Sequence, residues 1–172
     1  YEGILTDMKA IRTGEVLDSL HSYYVDQWDW EKVIQYEDRT IDYLKTVVEQ
    51  IYRSILHTIS WMNTHALETP YLPKDIVFIS SEELLQRYPH LTPKQRENRI
   101  CKEFGAVFII GIGAKLSNGL THDERSPNYD DWSLNGDLLV YSSLLGQAVE
   151  LSSMGIRVNE HSLIHQLSTS NT

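Results

Sequence analysis

An unbroken run of apolar residues, Ala106 to Ile112, constrains the fold of this 172-residue chain more than any other segment. A strand with one face in water alternates apolar and polar side chains, whereas a strand covered on both faces is apolar throughout. The run therefore predicts a central strand with structure packed on each side. Hydrophobic residues make up 41% of the sequence, which is enough for such a core within one domain.

Helix signals lie on both sides of this strand. Apolar residues at helical spacing predict a long helix from about Thr40 to Asn63. Capping boxes in Ser80–Glu83 and Thr92–Gln95 mark the starts of two further helices. A last helix is expected from Asn159 to Leu167.

Further strands are predicted before and after these helices. Ile4–Trp30 is expected to form two strands joined by a polar loop, and Ile76–Ile79 a short buried strand. Leu138–Tyr141 and Val149–Val158 are expected to form an antiparallel pair, while Lys115–Ser133 is polar and is expected to be irregular. Antiparallel strands with helices around them indicate an α+β fold, an antiparallel sheet flanked by helices.

Composition excludes several classes of partner. The formal charge of -9 argues against a nucleic-acid surface and against anionic membranes. No apolar run approaches the ~20 residues that span a bilayer, and no secretory signal is present. Cys101 is the single cysteine, so no internal disulfide is possible, and we expect an inert thiol within a helix. These features together favour a soluble cytoplasmic protein.

Two short patterns resemble known motifs without meeting their requirements. Gly111–Lys115 lacks the spacing of a phosphate-binding loop and the third glycine of a dinucleotide fingerprint, so a tight turn is the better interpretation. His161 and His165 are one helical turn apart, but no glutamate follows the first histidine as in zinc proteases. A structural zinc site is therefore not favoured.

The segment Val25–Glu31 carries an alternation with chemical consequences. In a strand, Gln27, Asp29 and Glu31 face one side, with Glu31 at the strand's end, while Trp28 and Trp30 face the other. We expect the tryptophan face to anchor a core. The amide and carboxylate face offers mainly hydrogen-bond acceptors, which suits a cationic group and indicates the floor of a binding site.

Charged residues elsewhere complete a pattern that fits an amino acid and a nucleotide. Asp137 and Glu150 lie on the two late strands and could meet across a hairpin, where Mg²⁺ bridging phosphate oxygens would relieve their repulsion. Arg157 follows an apolar stretch and needs an anion. Arg12 is a second candidate cation, and Asp130 is a candidate acid beside aromatic residues.

With these residues in view, the sequence resembles the aspartate–ammonia ligases, the ammonia-dependent type A asparagine synthetases. The segments that carry the resemblance run in order along the chain: Met8–Arg12, Leu20–Ser22, Val25–Glu31, Glu83–Pro89, Gly105–Phe108, Tyr129–Trp132, Leu134–Asp137 and Glu150–Val158. The resemblance implies a fold similar to the class II aminoacyl-tRNA synthetase catalytic core. It also implies synthesis of asparagine from aspartate, ammonia and ATP through a β-aspartyl-adenylate, with release of AMP and pyrophosphate.

The resemblance assigns roles on the nucleotide side of the reaction. Arg12 is similar to the arginine of the second class II motif, which holds the α-phosphate, and is expected to be catalytic. Asp137 and Glu150 are similar to the carboxylates that hold Mg²⁺ and ATP. ATP and Mg²⁺ are therefore the implied cofactors.

The aspartate side is assigned in the same way. Gln27 and Asp29 are similar to the aspartate-binding pair, with Asp29 toward the α-ammonium group. Arg157 is similar to the arginine that takes the substrate carboxylate, and Ser152 in the same segment is expected to bind substrate. Asp130 is expected near the reacting group as a second catalytic residue.

The chain also departs from the family pattern. The first class II motif and the glycine-rich third motif are absent, and family members carry extra residues where Ser133 here adjoins Leu134. We therefore expect residues 1–172 to be a single catalytic domain that lacks its N-terminal and C-terminal parts and a loop near 133–134. The resemblance implies a homodimer.

Two other functions are also compatible with the sequence. One is the catalytic core of an aspartyl- or asparaginyl-tRNA synthetase, against which the acidic charge argues. The other is a non-catalytic paralogue that binds aspartate or a nucleotide. Such a binder would not need the metal and phosphate ligands that the resemblance assigns.

Overall fold

The computed structural model describes residues 2–18, 20–65 and 71–170. These residues fall into two compact units, of which the first ends at Asp38 and the second begins at Arg39. The first unit is a two-stranded antiparallel ribbon of β1 (Gly3–Ile11) and β2 (Tyr24–Lys32), followed by a 3-10 turn at Tyr36–Asp38. Both strands expected between Ile4 and Trp30 are therefore confirmed.

The second unit is a four-stranded sheet with four helices, in the strand order β3-β4-β5-β6. The first pair is parallel and the other two pairs are antiparallel. The strands are β3 (Val77–Ser80), β4 (Ala106–Ile110), β5 (Asp130–Ser142) and β6 (Gln147–Arg157). The helices are α1 (Ile41–Thr64), α2 (Ser81–Arg87), α3 (Pro93–Phe104) and α4 (Glu160–Thr169). The predicted α+β class is confirmed, but the sheet is mixed rather than antiparallel throughout, because β3 pairs with β4 in parallel.

The apolar run forms the central strand β4, as predicted. All five of its residues are buried, and its side chains alternate between two hydrophobic clusters. Phe108 belongs to the cluster on the α1 side, whereas Val107 and Ile109 belong to the cluster with α2 and α3. The strand ends at Ile110 rather than Ile112, because Gly111 turns the backbone with φ of 76°. The tight-turn interpretation of this segment is confirmed.

The capping signals in the sequence locate the helix starts correctly. Thr40 accepts a hydrogen bond from the Tyr43 amide at the start of α1. Reciprocal capping boxes open α2, α3 and α4, with Ser80, Thr92 and Asn159 as the N-cap residues. Each box satisfies backbone N–H groups that the first helical turn leaves without partners. Among the described residues, no helix combines the length and apolarity needed to cross a membrane.

Two strand predictions need correction. The strand expected at Leu138–Tyr141 begins eight residues earlier, at Asp130, so the end of the segment expected to be irregular is extended. Its first residues are held from outside the sheet: Trp132 N donates to Gln166 Oε1 (2.8 Å), and Gln166 Nε2 donates to the Asp130 carbonyl (3.0 Å). The strand β3 is half-buried rather than buried, because it lies at the edge of the sheet.

The single cysteine is expected to be unreactive in the folded protein. Cys101 lies on α3 with no exposed surface, and burial raises the pKa of its thiol to about 12, with the Glu97 carboxylate contributing in the same direction. At pH 8 its thiolate fraction is then small, and reagents cannot reach it. We predict reaction with a disulfide reagent at least ~100-fold slower than for a free thiol. Full reactivity in guanidinium chloride is the control, and fast reaction of the native protein would contradict the prediction.

Candidate functional site

The polar face of β2 brings three of the predicted residues together. Gln27 Nε2 donates to Asp29 Oδ1 at 2.8 Å, and Arg12 Nη2 lies 3.5 Å from Gln27 Oε1. Gln27 and Asp29 are half-buried, in contrast to their exposed neighbours on the strand. The amide thus links a carboxylate to a guanidinium, and Asp29 retains oxygen atoms that can accept bonds from an ammonium group.

The opposite face of β2 differs from the prediction. Trp28 is 80% exposed and Trp30 is 41% exposed, so the expectation that these rings anchor a core is wrong. They lie opposite Asp7 and Leu5 on β1, in a ribbon of two strands. Within the described part of this unit there is no second layer to cover a face, and two strands alone cannot bury one.

One face of the β5–β6 hairpin carries most of the predicted residues of the second unit. The strand register pairs Asp137 with Ser153 and Asp130 with Arg157, and paired residues of an antiparallel ladder share a face. Ser152 pairs with Leu138, whose side chain belongs to the cluster on the α1 side. The structure therefore groups Asp130, Asp137 and Arg157 on one face and directs Ser152 to the other.

A register irregularity brings Glu150 to the same face as Asp137. Ser152 pairs with Leu138, but Leu139 pairs with Glu150, so Leu151 is the extra residue of a β-bulge. In a regular strand Glu150 and Ser153, three positions apart, would face opposite sides. The bulge restores Glu150 to the Asp137 face, and the charge of Glu150 contributes to the raised pKa of Asp137.

Asp137 is buried and held by an arginine that sequence reasoning missed. Arg125 Nη2 donates to both carboxylate oxygens, at 2.9 and 2.7 Å. Burial raises the pKa of the Asp137 carboxyl to about 6, with Glu150 adding to the shift, and the charge of Arg125 opposes it. Burial, assisted by the charge of Glu150, therefore outweighs the effect of the guanidinium on this carboxyl.

Arg157 lies between an acid and an aromatic ring. Its Nη1 donates to Asp130 Oδ1 at 3.1 Å, and its guanidinium carbon lies 3.2 Å from the centre of the Tyr129 ring. The absence of a side chain at Gly155 permits this arrangement, because a Cβ there would lie 2.9 Å from Asp130 Cγ. Arg39 fixes the adjacent backbone by donating to the Arg157 carbonyl. The result is an oriented, half-buried cation.

A buried histidine joins the segment that carries Arg125 to helix α3. His122 Nε2 lies 3.2 Å from Glu97 Oε1, and almost none of the His122 side chain is exposed. Sequence reasoning missed this pair, whose members are separated by 25 residues. Arg125 had one signal available, since it is the single arginine between Arg99 and Arg157 and lies in a polar segment.

The acids of this face fit Mg²⁺ better than a transition metal. Within residues 2–18, 20–65 and 71–170, no group of three or more His, Cys, Asp or Glu side chains is placed to hold a metal ion. Mg²⁺ takes one or two protein carboxylates and completes its shell with water and substrate phosphates. Asp137 and Glu150 supply that number, and a bound cation would relieve the repulsion between their charges, which contributes to the raised pKa of Asp137. The two residues fit the ion.

The fold and these groups define an α+β protein with oriented cations and carboxylates on its strands. The family model described as aspartate-ammonia ligase matches residues 1–172, and the chain belongs to that family. An aspartate–ammonia ligase of Clostridium perfringens strain SM101 is 59% identical over 167 residues, covering 96% of this chain and 50% of that protein. The ligase of Fusobacterium nucleatum is 54% identical over 171 residues, covering 99% of this chain and 52% of that protein. The ligase of Parabacteroides distasonis is 54% identical over 175 residues, covering 96% of this chain and 51% of that protein.

The resemblance seen in the sequence is thus confirmed. The chain spans about half the length of the curated relatives it matches.

Proposed function

We propose that the full-length protein joins aspartate and ammonia into asparagine with ATP, forming AMP and pyrophosphate. Its membership of the aspartate–ammonia ligase family, with relatives of that name at 54% identity and above, is the observation that carries the proposal. We also propose a class II synthetase-like core. The three antiparallel strands β4, β5 and β6 with helices around them support it.

The proposed binding of aspartate uses one acid and one cation, each described here within its own unit. Asp29, bonded by Gln27, accepts hydrogen bonds from the α-ammonium group. Arg157 takes a substrate carboxylate, for which its orientation over the Tyr129 ring suits it. Asp130 is the present partner of Arg157, so the substrate carboxylate competes with Asp130 for the guanidinium. The role of Ser152 stays a prediction.

The proposed chemistry begins at the other end of the substrate. The β-carboxylate oxygen attacks the α-phosphorus of ATP and pyrophosphate leaves, giving the β-aspartyl-adenylate. Arg12 is placed by this proposal at the α-phosphate, where it lowers the repulsion between two anions. Asp137 and Glu150 would hold Mg²⁺, which supplies charge neutralisation for the departing pyrophosphate. Neutral ammonia then attacks the activated carbonyl carbon, AMP leaves, and the ammonium proton is lost to a base.

One assay separates this proposal from its two alternatives. Purified full-length protein is incubated with ATP, Mg²⁺, aspartate and ammonium, with and without tRNA, and AMP and asparagine are measured. AMP and asparagine without tRNA support the ligase. A strict requirement for tRNA supports an aspartyl- or asparaginyl-tRNA synthetase core. Aspartate binding without turnover supports a non-catalytic paralogue.

The Asp29→Asn substitution tests the ammonium-binding role. An amide keeps the size of the side chain but removes the charge, so the KM for aspartate should rise by about 30-fold or more. The KM for ATP should change by less than about threefold, since the nucleotide contacts other groups. Initial rates at varied aspartate and ATP measure both constants.

Asp26→Asn is the matched control for that test. Asp26 lies on the other face of β2, where it pairs with Lys9 at 3.0 Å in an exposed position. Its substitution removes the same charge from the same strand. Equal increases in the KM for aspartate in both variants would remove the assignment of Asp29.

The quaternary structure and domain extent are part of the proposal. We propose a homodimer, and a single catalytic domain of which residues 1–172 form a part. The register irregularity between Asp130 and Asn135 spans positions 133–134, where the sequence predicts that a loop is missing. Light scattering on the full-length protein tests the dimer directly, and a monomer at micromolar concentration would exclude it.

A further inference from the structure

The Asp137 carboxylate already has a cationic partner within the chain. Arg125 Nη2 contacts both Asp137 oxygens, and its Nη1 lies 3.2 Å from Ser153 Oγ. The Asp137 side chain is 9% exposed and the Arg125 side chain 27% exposed, so water screens this pair much less than it screens a surface pair. The guanidinium covers the oxygen atoms that a metal ion would use.

The environment of Arg125 holds more acid than one guanidinium neutralises. Asp123 Oδ2 lies 3.1 Å from the same Nη2 atom, and Glu150 acts on Asp137 from the neighbouring strand. Asp123 and Asp137 therefore share one guanidinium, while Glu150 and Lys94 add one nearby charge of each sign. The Arg125 Nε atom is buried without a hydrogen-bond partner, so the arrangement is incompletely satisfied. Excess negative charge and an unsatisfied donor both favour exchange of the guanidinium for a stronger cation.

The backbone of the segment that carries Arg125 is fixed, whereas the Arg125 side chain can move away from Asp137. His122, three residues earlier, is buried against Glu97 of α3, which fixes the backbone of the segment. Arg125 reaches Asp137 from there through a flexible side chain. If the guanidinium leaves Asp137, it can keep its ion pair with the more exposed Asp123. Such a movement needs a change of rotamers and no change of fold.

We propose that Arg125 and a divalent cation are alternative partners of the Asp137 carboxylate, so that Arg125 sets the metal affinity of the site. This inference rests on the proposed function, because it takes Asp137 as a ligand of Mg²⁺. A guanidinium bonded to both carboxylate oxygens occupies part of their lone-pair sites and places a positive charge beside them, so it opposes a metal ion on the same oxygens. Metal binding therefore carries the free-energy cost of displacing Arg125 together with the repulsion between two cations.

Metal affinity measured without nucleotide or aspartate tests the inference. Mn²⁺, which is visible by electron paramagnetic resonance and takes the same oxygen ligands as Mg²⁺, is titrated into the full-length protein at pH 8. We expect Arg125→Gln to tighten Mn²⁺ binding by about tenfold, because competitor and repulsion are both removed. Arg125→Lys keeps the charge but loses the two-oxygen contact, so we expect a gain of about threefold.

Two further variants make the result specific. Arg87→Gln removes one charge from a surface pair with Glu103 and should leave the Mn²⁺ affinity unchanged. Asp137→Asn removes the shared carboxylate and should weaken binding by at least about tenfold. Unchanged or weaker binding in Arg125→Gln overturns the inference. If Arg125→Gln does not fold, unchanged or weaker Mn²⁺ binding in Arg125→Lys overturns the inference instead.

The outcome is separable from that of the proposed function. Asparagine formation by the unsubstituted protein tests the function, whereas Mn²⁺ affinity needs no turnover. Tighter Mn²⁺ binding in an inactive protein would retain the competition and reject the ligase. An active ligase whose Arg125 variants bind Mn²⁺ with unchanged affinity would retain the ligase function and reject the competition between Arg125 and the metal ion.

Discussion

An Arg157→Ala substitution is expected to raise the KM for aspartate by at least about 100-fold in the full-length protein. The guanidinium is a half-buried cation on the β5–β6 face, oriented by Asp130 and by the Tyr129 ring. Truncating one member of a buried charged pair costs about 2–5 kcal/mol, and 100-fold lies in the lower half of that range because the Arg157 side chain is 37% exposed. The effect has two sources, because Asp130 loses its counter-ion and then repels the carboxylate of the substrate.

The measurement is a set of initial rates at varied aspartate and fixed saturating ATP. The chain contains a matched control in Arg87, which pairs with Glu103 and lies over the Tyr88 ring at 5.5 Å. Arg87→Ala removes the same side chain from a similar trio of cation, acid and tyrosine. It should change the KM for aspartate by less than about twofold. A KM that stays within a few-fold in Arg157→Ala would place the carboxylate elsewhere.

The sequence predicted those parts of the fold that local chemistry determines. A helix start depends on a few neighbouring residues, so the capping boxes at Ser80 and Thr92 located the starts of α2 and α3 from the sequence alone. The central strand could be identified because burial on both faces demands an apolar residue at every position. The capping pattern and the apolar run can each be recognised within a few consecutive residues.

The beginning of β5 could not be predicted because its order comes from distant residues. Asp130–Ser133 is polar and lacks the alternation of a strand, so the sequence favours a loop. In the fold, Gln166 of α4 bonds this backbone at two points, and Arg39 holds Asp131 at 3.1 Å. These partners are 34 to 92 residues away, and no local pattern reveals them.

The site residues also divide into those that a local sequence pattern reveals and those whose position depends on distant partners. The alternation along β2 correctly places Gln27 and Asp29 on one face, but alternation alone does not say which face is covered, and the tryptophan face is exposed. The proximity of Glu150 to Asp137 depends on the bulge at Leu151, because regular pairing would separate them. A bulge has no reliable sequence signal. Arg125 was missed because its partner lies on a strand twelve residues further along.

A Gly136→Ala substitution is expected to destabilise the protein by about 3 kcal/mol or more. Gly136 is buried in the middle of β5, between Ile110 of β4 and Met154 of β6. An added Cβ would lie 2.2 Å from the Ile109 carbonyl oxygen and 2.6 Å from Cε1 of Phe108. The oxygen belongs to the backbone of the central strand and cannot move without breaking ladder hydrogen bonds. The neighbouring residue is Asp137, so the strain reaches the candidate metal ligands directly.

Urea denaturation of Gly136→Ala and Gly119→Ala, compared with the unsubstituted protein, separates steric overlap from backbone preference. Gly119 has a φ of 81° and open space around its Cα, so alanine there meets no atom and costs only about 1 kcal/mol for the left-handed conformation. Gly136 is extended, so its cost arises from contact alone. A loss in Gly136→Ala no larger than in Gly119→Ala would mean that β4 and β5 can move apart. The close approach that presents Asp137 would then not be a fixed property of the sheet.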